Sequence, residues 1–266
     1  MSLASLDGVI GPAEAARIPV TDEGLLRGDG AFEVARLYGG RPFAMEDHFT
    51  RLERTCAGLR LEPDWAALHR EVSALLEAAG PIEALLRVVL TRGGARILLV
   101  EPLPHRLALA RVATVTFSPS RVLDDLKTLS YAANMLAGRL AKERGFDEAL
   151  FVTPHGRVIE GATWSFFWVS GGALLTPPLE DRILQSITRA RLIEETGARE
   201  AVCTLDDVAA AEEAFIASSV REVMPISVVD DITLPAAPGP VTLRASEALG
   251  RRIERELSAG AAPSRT

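Results

Sequence analysis

Only two of the 29 basic residues in this chain are lysines, Lys127 and Lys142, which leaves 29 - 2 = 27 arginines. Arginine stays protonated in a protein, so a position that needs a nucleophilic amine cannot share in that drift. Lys142 lies in Ala141-Lys142-Glu143-Arg144, just before Gly145, and reads as a solvated charge near a helix C-terminus. Lys127 follows the acidic pair Asp124 and Asp125 and precedes Thr128-Leu129-Ser130-Tyr131. Taken alone, it is open between a reactive amine and an ordinary surface charge. A carboxylate, Glu160, ends an expected strand 160 - 127 = 33 residues later. The segment Leu184-Gln185-Ser186-Ile187-Thr188-Arg189 opens a helix capped by Gln185 or Ser186, with an arginine in its first turn. That charge opposes the helix dipole by ~0.3–1 kcal/mol unless an anion sits there. One reading is therefore a phosphate socket at the amides of Ile187 and Thr188 and the Thr188 hydroxyl, shared with nearby cations. The other is a plain serine cap with Arg189 pointing to solvent. Ser218-Ser219, between a strand and Val220-Arg221-Glu222, could likewise form an anion nest, a weak signal by itself.

Other chemistries find little support. There is no Walker loop, HExxH or CxxC, and Gly28-Asp29-Gly30 lacks the third glycine of a dinucleotide fingerprint. No GxSxG elbow occurs. His48, His69, His105 and His155 are scattered and read as surface or helix-face residues rather than ligands or bases, so no metal is expected. Cys56 and Cys203 are too few for a disulfide framework, which makes a reducing cytoplasm the default location. The net charge of -7, without long like-charge runs, argues against a nucleic-acid partner. Asp7 and Glu14 interrupt any signal-peptide core, and no apolar run approaches the ~18 residues of a membrane span.

The elements that must position these groups fall into two halves. Strands at 31–37 and 41–45 flank Gly39-Gly40, and helices run over 46–57 and from Asp64 to Gly80-Pro81. Apolar runs at 84–91, 97–100 and 107–117 read as antiparallel strands. Ser118-Pro119-Ser120-Arg121 breaks the pattern, which predicts an N-terminal α/β domain over 1–117, a linker over 118–125 and a C-terminal domain over 126–266. The second half predicts a helix over 130–144, hairpins at 149–153/158–160 and 166–170/173–176, and a helix from Ile187 to Gly197. A short helix near 206–211, strands at 215–218 and 225–229, a helix over 241–257 and a frayed tail over 258–266 complete the list.

A special lysine, an anion-binding helix start and a strand-end carboxylate together look like a pyridoxal phosphate site. Lys127-Thr-Leu-Ser-Tyr131, Gly145-Phe-Asp-Glu-Ala-Leu150, Gly156-Arg-Val-Ile-Glu160-Gly161, Leu175-Thr-Pro177 and Ser186-Ile-Thr-Arg189 occur in that order. So do Leu26-Arg-Gly-Asp-Gly-Ala-Phe-Glu33, His48-Phe-Thr-Arg51-Leu52 and Thr91-Arg-Gly93. In these motifs, roughly from Asp7 to Asp230, the chain resembles the fold-type IV, or class IV, pyridoxal-phosphate aminotransferases. That group includes D-amino acid and branched-chain aminotransferases and aminodeoxychorismate lyase. The resemblance implies an α+β fold of two domains with the cofactor at their interface, and a homodimer in which each site is completed by its partner. It makes Lys127 the Schiff-base lysine and proton carrier, and Glu160 the partner of the pyridinium nitrogen. Tyr131 would bond the ring's phenolic oxygen, with plain helix packing as its alternative. Arg51, Ser186, Ile187, Thr188 and Ser219, with Ser218, would hold the phosphate.

For the substrate, the resemblance implies amino acids and 2-oxo acids exchanging an amino group by ping-pong half-reactions, with D-amino acids as the preferred donors. Elimination of pyruvate from aminodeoxychorismate and branched-chain transamination are the alternatives. The best-known D-amino acid enzymes hold the substrate carboxylate with a tyrosine after the Gly-Asp-Gly turn and an Arg-x-His after Thr-Arg-Gly. Here those places hold Phe32 and Arg96-Ile-Leu98. Arg27, Arg87 and Arg96 are candidate replacements, each also readable as a surface or structural charge. Phe32, Arg87 and Tyr131 support the branched-chain reading, and Phe32-Glu33-Val34 leans toward D-amino acids. Trp164, where relatives often carry a small residue, would narrow the pocket mouth if it points inward, and Val220 is a further candidate substrate contact.

Overall fold

The computed structural model describes residues 2–259, and the chain divides into two compact units. The first comprises residues 1–104 and the segment 126–131, the second residues 105–125 and the rest.

In the first unit, β1 (Leu3–Leu6) and β2 (Val9–Pro12) form a hairpin, followed by the short α1 (Glu23–Arg27), which Asp22 caps. Then come β3 (Gly30–Tyr38), β4 (Arg41–Pro42), α2 (Met45–Leu59), α3 (Trp65–Ala79), β5 (Ala84–Thr91) and β6 (Arg96–Pro102). They make an antiparallel sheet in the order β2-β1-β6-β5-β3-β4. The 3.6-residue spacing of Leu52 and Cys56 on α2, and of Leu68, Val72 and Leu75 on α3, lays one apolar stripe of each helix against Leu37, Leu86 and Leu98 of the sheet. Each such leucine contributes about 1.5–3 kcal/mol by leaving water. The expected strand at 41–45 is cut short at Pro42, because α2 already begins at Met45.

In the second unit, β7 (Ala110–Thr116) and α4 (Ala132–Glu143) precede β8 (Glu148–Val152), β9 (Arg157–Gly161), β10 (Ser165–Ser170) and β11 (Ala173–Thr176). After α5 (Ile187–Thr196) come β12 (Arg199–Glu200), β13 (Cys203–Thr204), α6 (Leu205–Ala209), β14 (Glu213–Ser218), β15 (Glu222–Val229), β16 (Ile232–Thr233) and α7 (Pro240–Ala259). The strands run β12-β11-β10-β14-β15-β7-β8-β9-β13, and a further β9–β10 pairing at Glu160↔Ser165 closes six of them into a ring. Alternation then sorts their side chains. Val112, Leu150, Val158, Phe166, Trp168, Ile216 and Ile226 share one core, whereas Ala113, Phe151 and Ile159 pack with Ala137 and Ala141 of α4. Both carboxylate oxygens of buried Glu213 accept the first amides of α7, from Val241 and Thr242, as an anion at a helix N-terminus should.

Three expectations change. The run at 107–117 yields β7, which is not an antiparallel partner of β5 and β6 but pairs in parallel with β8 and β15. A parallel pair needs a long crossover, and the stretch between β7 and β8 supplies it. That pairing also carries residues 105–125 into the second unit, so the division does not follow the 118–125 boundary expected. The helix expected from Ser130 starts at Ala132, because Thr128 bridges to Ala31 and holds its neighbours extended. Of the tail, Ser258 and Ala259 end α7, and the remainder lies outside the described residues. Among the described residues no helix is long and apolar enough to cross a membrane.

Among the described glycines of the second unit, Gly161 leaves the least room for a side chain: an added Cβ would lie 1.9 Å from Trp164 Cε2. Gly161→Ala should therefore cost about 1–3 kcal/mol by overpacking. Thermal melting would show a lowered midpoint, and an unchanged one would mean that the indole moves aside freely.

Candidate active site

The extended segment 127–129 runs antiparallel to the start of β3 through an isolated bridge between Thr128 and Ala31. The Phe32 amide donates to the Lys127 carbonyl at 3.0 Å, and the Leu129 amide donates to Gly30 at 2.8 Å. Register then puts Lys127 across from Phe32. Its Nζ lies 4.4 Å from the Phe32 ring centroid and 5.6 Å from that of Tyr131, and the two rings meet edge to face at 5.2 Å. The ammonium thus lies against the faces of two aromatic rings, as the attraction of a cation to a ring face favours. Lys142, by contrast, is exposed in the last turn of α4.

Behind Phe32, on the opposite face of β3, Glu33 is buried and clamps two side chains of α2. Arg51 donates through Nε to Oε1 at 2.6 Å and through Nη2 to Oε2 at 2.7 Å, and His48 Nδ1 lies 2.7 Å from Oε2. Burial alone would raise the Glu33 pKa, but the Arg51 charge and the hydrogen bonds from Arg51 and His48 hold it at about 2. His48 moves down from its ordinary value, because burial outweighs the pull of Glu33 and the Arg51 and Lys127 charges add to it. It is a neutral imidazole donating through Nδ1, with Nε2 buried and unpartnered. The sequence placed His48 on a surface or helix face and Glu33 and Arg51 in separate motifs, with nothing to show that the three pair in the interior.

In the second unit Glu160 sits where β9 meets β10, and its carboxylate accepts the Leu184 amide, with distances of 3.3 and 3.2 Å to its two oxygens. Three residues later α5 begins. Ser186 is the cap, its Oγ accepting the Arg189 amide at 3.2 Å. The amides of Ile187 and Thr188 thus occupy the helix positions that have no intrahelical acceptor. Both residues are buried. Arg189 fits neither expectation. It is 4 % exposed, donates to Glu200 at 2.5 Å, to the Pro177 carbonyl at 2.7 Å and to Thr176, so its charge is neutralised inside the protein. Ser218 Oγ likewise accepts the Arg221 amide at 3.1 Å and shapes the turn, with Ser219 and Val220 half-buried beside it.

The candidate substrate residues separate. Arg96 is paired with Glu71 at 2.7 Å, and Asp7 lies nearby, so it braces β6 against α3. Arg27 is on α1, its side chain 73 % exposed and held by Glu23 at 2.5 Å. Arg87 pairs with Glu101 at 2.9 Å, yet it sits across from Val34 on the Phe32 face of the sheet, 5.9 Å from that ring. Trp164 points into the core of the second unit over Gly161, its Nε1 donating to Glu148 at 3.1 Å, and does not form a pocket mouth. Neither thiol competes as a nucleophile: burial, with Glu53, pushes Cys56 up to about 12, and burial raises Cys203 as well.

Each unit by itself offers groups of the kinds pyridoxal phosphate chemistry uses: the first an amine, the second a carboxylate beside helix-start amides. Comparison with known proteins agrees. Residues 30–229 match the family Amino-transferase class IV, and the chain belongs to it. A putative branched-chain-amino-acid aminotransferase of Methanocaldococcus jannaschii is 31% identical over 253 residues, 85% of this chain and 87% of that one. A D-alanine aminotransferase of Bacillus licheniformis is 29% identical over 265 residues, 91% and 93% of the two chains. The pyridoxal-phosphate-bound form of a hypothetical aminotransferase from Mycobacterium tuberculosis superposes with a TM-score of 0.85 at 25% identity, covering 95% of this chain and 99% of that one. The fold is fold-type IV, and the protein is a pyridoxal-phosphate-dependent class IV enzyme.

The buried cluster predicts a pH dependence. Below pH 6.5 the unfolded chain protonates His48 while the folded chain does not, and below 4.5 the same holds for Glu33 until about 2. Both terms therefore stabilise at neutral pH and are lost as pH falls, the Glu33 part amounting to about 3 kcal/mol. Urea midpoints measured from pH 7.5 to 4 should decline, and His48→Gln should decline less between 6.5 and 5. Equal slopes would contradict a buried neutral His48.

Proposed function

We propose that this enzyme transfers the amino group of D-amino acids to a 2-oxo acid by a ping-pong mechanism. The carrying observation is that Arg87 and Lys127 lie on one face of the sheet on either side of the Phe32 ring, serving a carboxylate and an amino group of one small molecule. A guanidinium suits a carboxylate through bidentate pairing, although Glu101 must share it. The likeness to a D-alanine aminotransferase and the segment Phe32-Glu33-Val34 support the choice of donor. Pyridoxal phosphate, when bound, supplies the aldehyde that takes up the amino group and the ring that accepts the electrons of the α-carbon. Lys127 would hold that aldehyde and, when free of it, would carry the proton at the substrate α-carbon. Glu160 would keep a proton on the ring nitrogen, and Tyr131 would bond the phenolic oxygen. The amides and hydroxyls of Ile187, Thr188, Ser218 and Ser219, with Arg51 oriented by Glu33, would take the phosphate. Ser186 acts through its cap.

A branched-chain donor is the second reading, because the Phe32–Tyr131 pair offers an apolar wall beside Nζ. Purified protein given D-alanine and 2-oxoglutarate should form D-glutamate and pyruvate. Exchange with L-leucine instead would favour the second reading. Pyruvate release from aminodeoxychorismate without any amino exchange would make the protein a lyase and overturn both.

The working form is a homodimer in this reading. On α4, Met135, Leu136 and Leu140 are exposed at 41%, 49% and 39%, an apolar patch that a second copy would cover. Sedimentation should give twice the chain mass, and Leu136→Glu should shift it toward a single chain. A monomeric wild type at micromolar concentration contradicts the dimer.

A further inference from the structure

Thr55 lies fully buried on α2, one helical turn beyond Arg51. Its Oγ1 donates to the Arg51 carbonyl at 3.0 Å and accepts the Lys127 amide at 3.2 Å. A helical threonine commonly spends its single proton on the carbonyl four residues back, which leaves a lone pair for another donor. Here that donor is the backbone of the reactive lysine. The Lys127 carbonyl is already taken by the Phe32 amide, so both polar backbone groups of this residue are fixed, one by β3 and the other by Thr55.

We propose that Thr55 is a positioning residue for Lys127, its hydroxyl fixing the point from which the four-carbon side chain swings Nζ between its bonded and released states. The inference rests on Lys127 being the cofactor-bonding amine. Four rotatable bonds separate Nζ from the backbone, so an amine that must serve twice in one cycle keeps its geometry only if its Cα does. A displacement of about 1 Å costs on the order of a hundredfold in rate. Valine reproduces the shape of threonine but accepts no hydrogen bond, and it would leave the Lys127 amide without its acceptor. Serine keeps the hydroxyl and drops only a methyl group.

The test compares wild type, Thr55→Val and Thr55→Ser as holoenzymes. Thr55→Val should lower kcat by roughly tenfold with KM within about twofold, while Thr55→Ser stays within about twofold on both. The pH midpoint of the bound cofactor's absorption should move by at least about half a unit in Thr55→Val and not in Thr55→Ser. Wild-type values for Thr55→Val, or equal damage in Thr55→Ser, overturn the proposal. Should Thr55→Val fail to fold, amide exchange in the wild-type holoenzyme decides: the Lys127 amide should be protected by at least about a hundredfold, and exchange at an exposed-loop rate refutes the bond. Peptide mass after hydride reduction separates the two levels of failure. Cofactor absent from Lys127 in the wild type removes the underlying reading, whereas cofactor present there with an indifferent Thr55→Val removes only the role of Thr55.

Discussion

The pairing of residues 127–129 with the start of β3 is the constraint on which the chemistry of this chain depends. Two backbone hydrogen bonds, at 3.0 and 2.8 Å, place Lys127 opposite Phe32 and set its ammonium against the Phe32 and Tyr131 rings. Register in a sheet is all or nothing: a slip of one residue would turn Lys127 toward the helices and bring Thr128 to the outer face. The same short segment explains why α4 starts at Ala132, since Thr128 and Leu129 are already committed to extended pairing.

On the other face of β3, the unit buries charge where apolar packing would be simpler. Replacing Glu33, His48 and Arg51 by well-fitting apolar residues could leave stability unchanged, but removing Glu33 alone would break a buried ion pair and take two hydrogen bonds from Arg51 at a cost of about 3–5 kcal/mol. Retaining the ions gives Arg51 one defined orientation through two parallel hydrogen bonds. The second unit also buries a paired charge, Arg189 with Glu200, beside a shorter-range arrangement. There the Glu160 carboxylate accepts the Leu184 amide and α5 starts at Ile187, so a carboxylate and the first amides of a helix are held together by local chain connection.

Much of this was legible in the sequence because it is local. The helical stripes of α2 and α3, the Gly-Gly turns, the serine cap of α5 and the isolation of Lys127 among arginines are written in neighbouring residues. What stayed hidden depends on partners distant in the chain. Nothing near Arg189 announces Glu200 and Pro177, nothing near Arg96 announces Glu71, and Trp164 gives no sign that its ring lies over Gly161. An arginine looks the same in a sequence whether it awaits an anion or already has one. β7 was misassigned for a related reason, since an apolar run carries no information on whether its partners are parallel. Family resemblance named the residues, but only coordinates distinguished Arg87, on the Lys127 face, from Arg27 and Arg96.

The central claim is that one of two lysines carries the cofactor. Reducing the holoenzyme with borohydride and mapping peptides by mass tests it directly. The account predicts the reduced pyridoxyl group on Lys127 and an unmodified Lys142. Label on Lys142, or none on Lys127 in fully loaded protein, would contradict it.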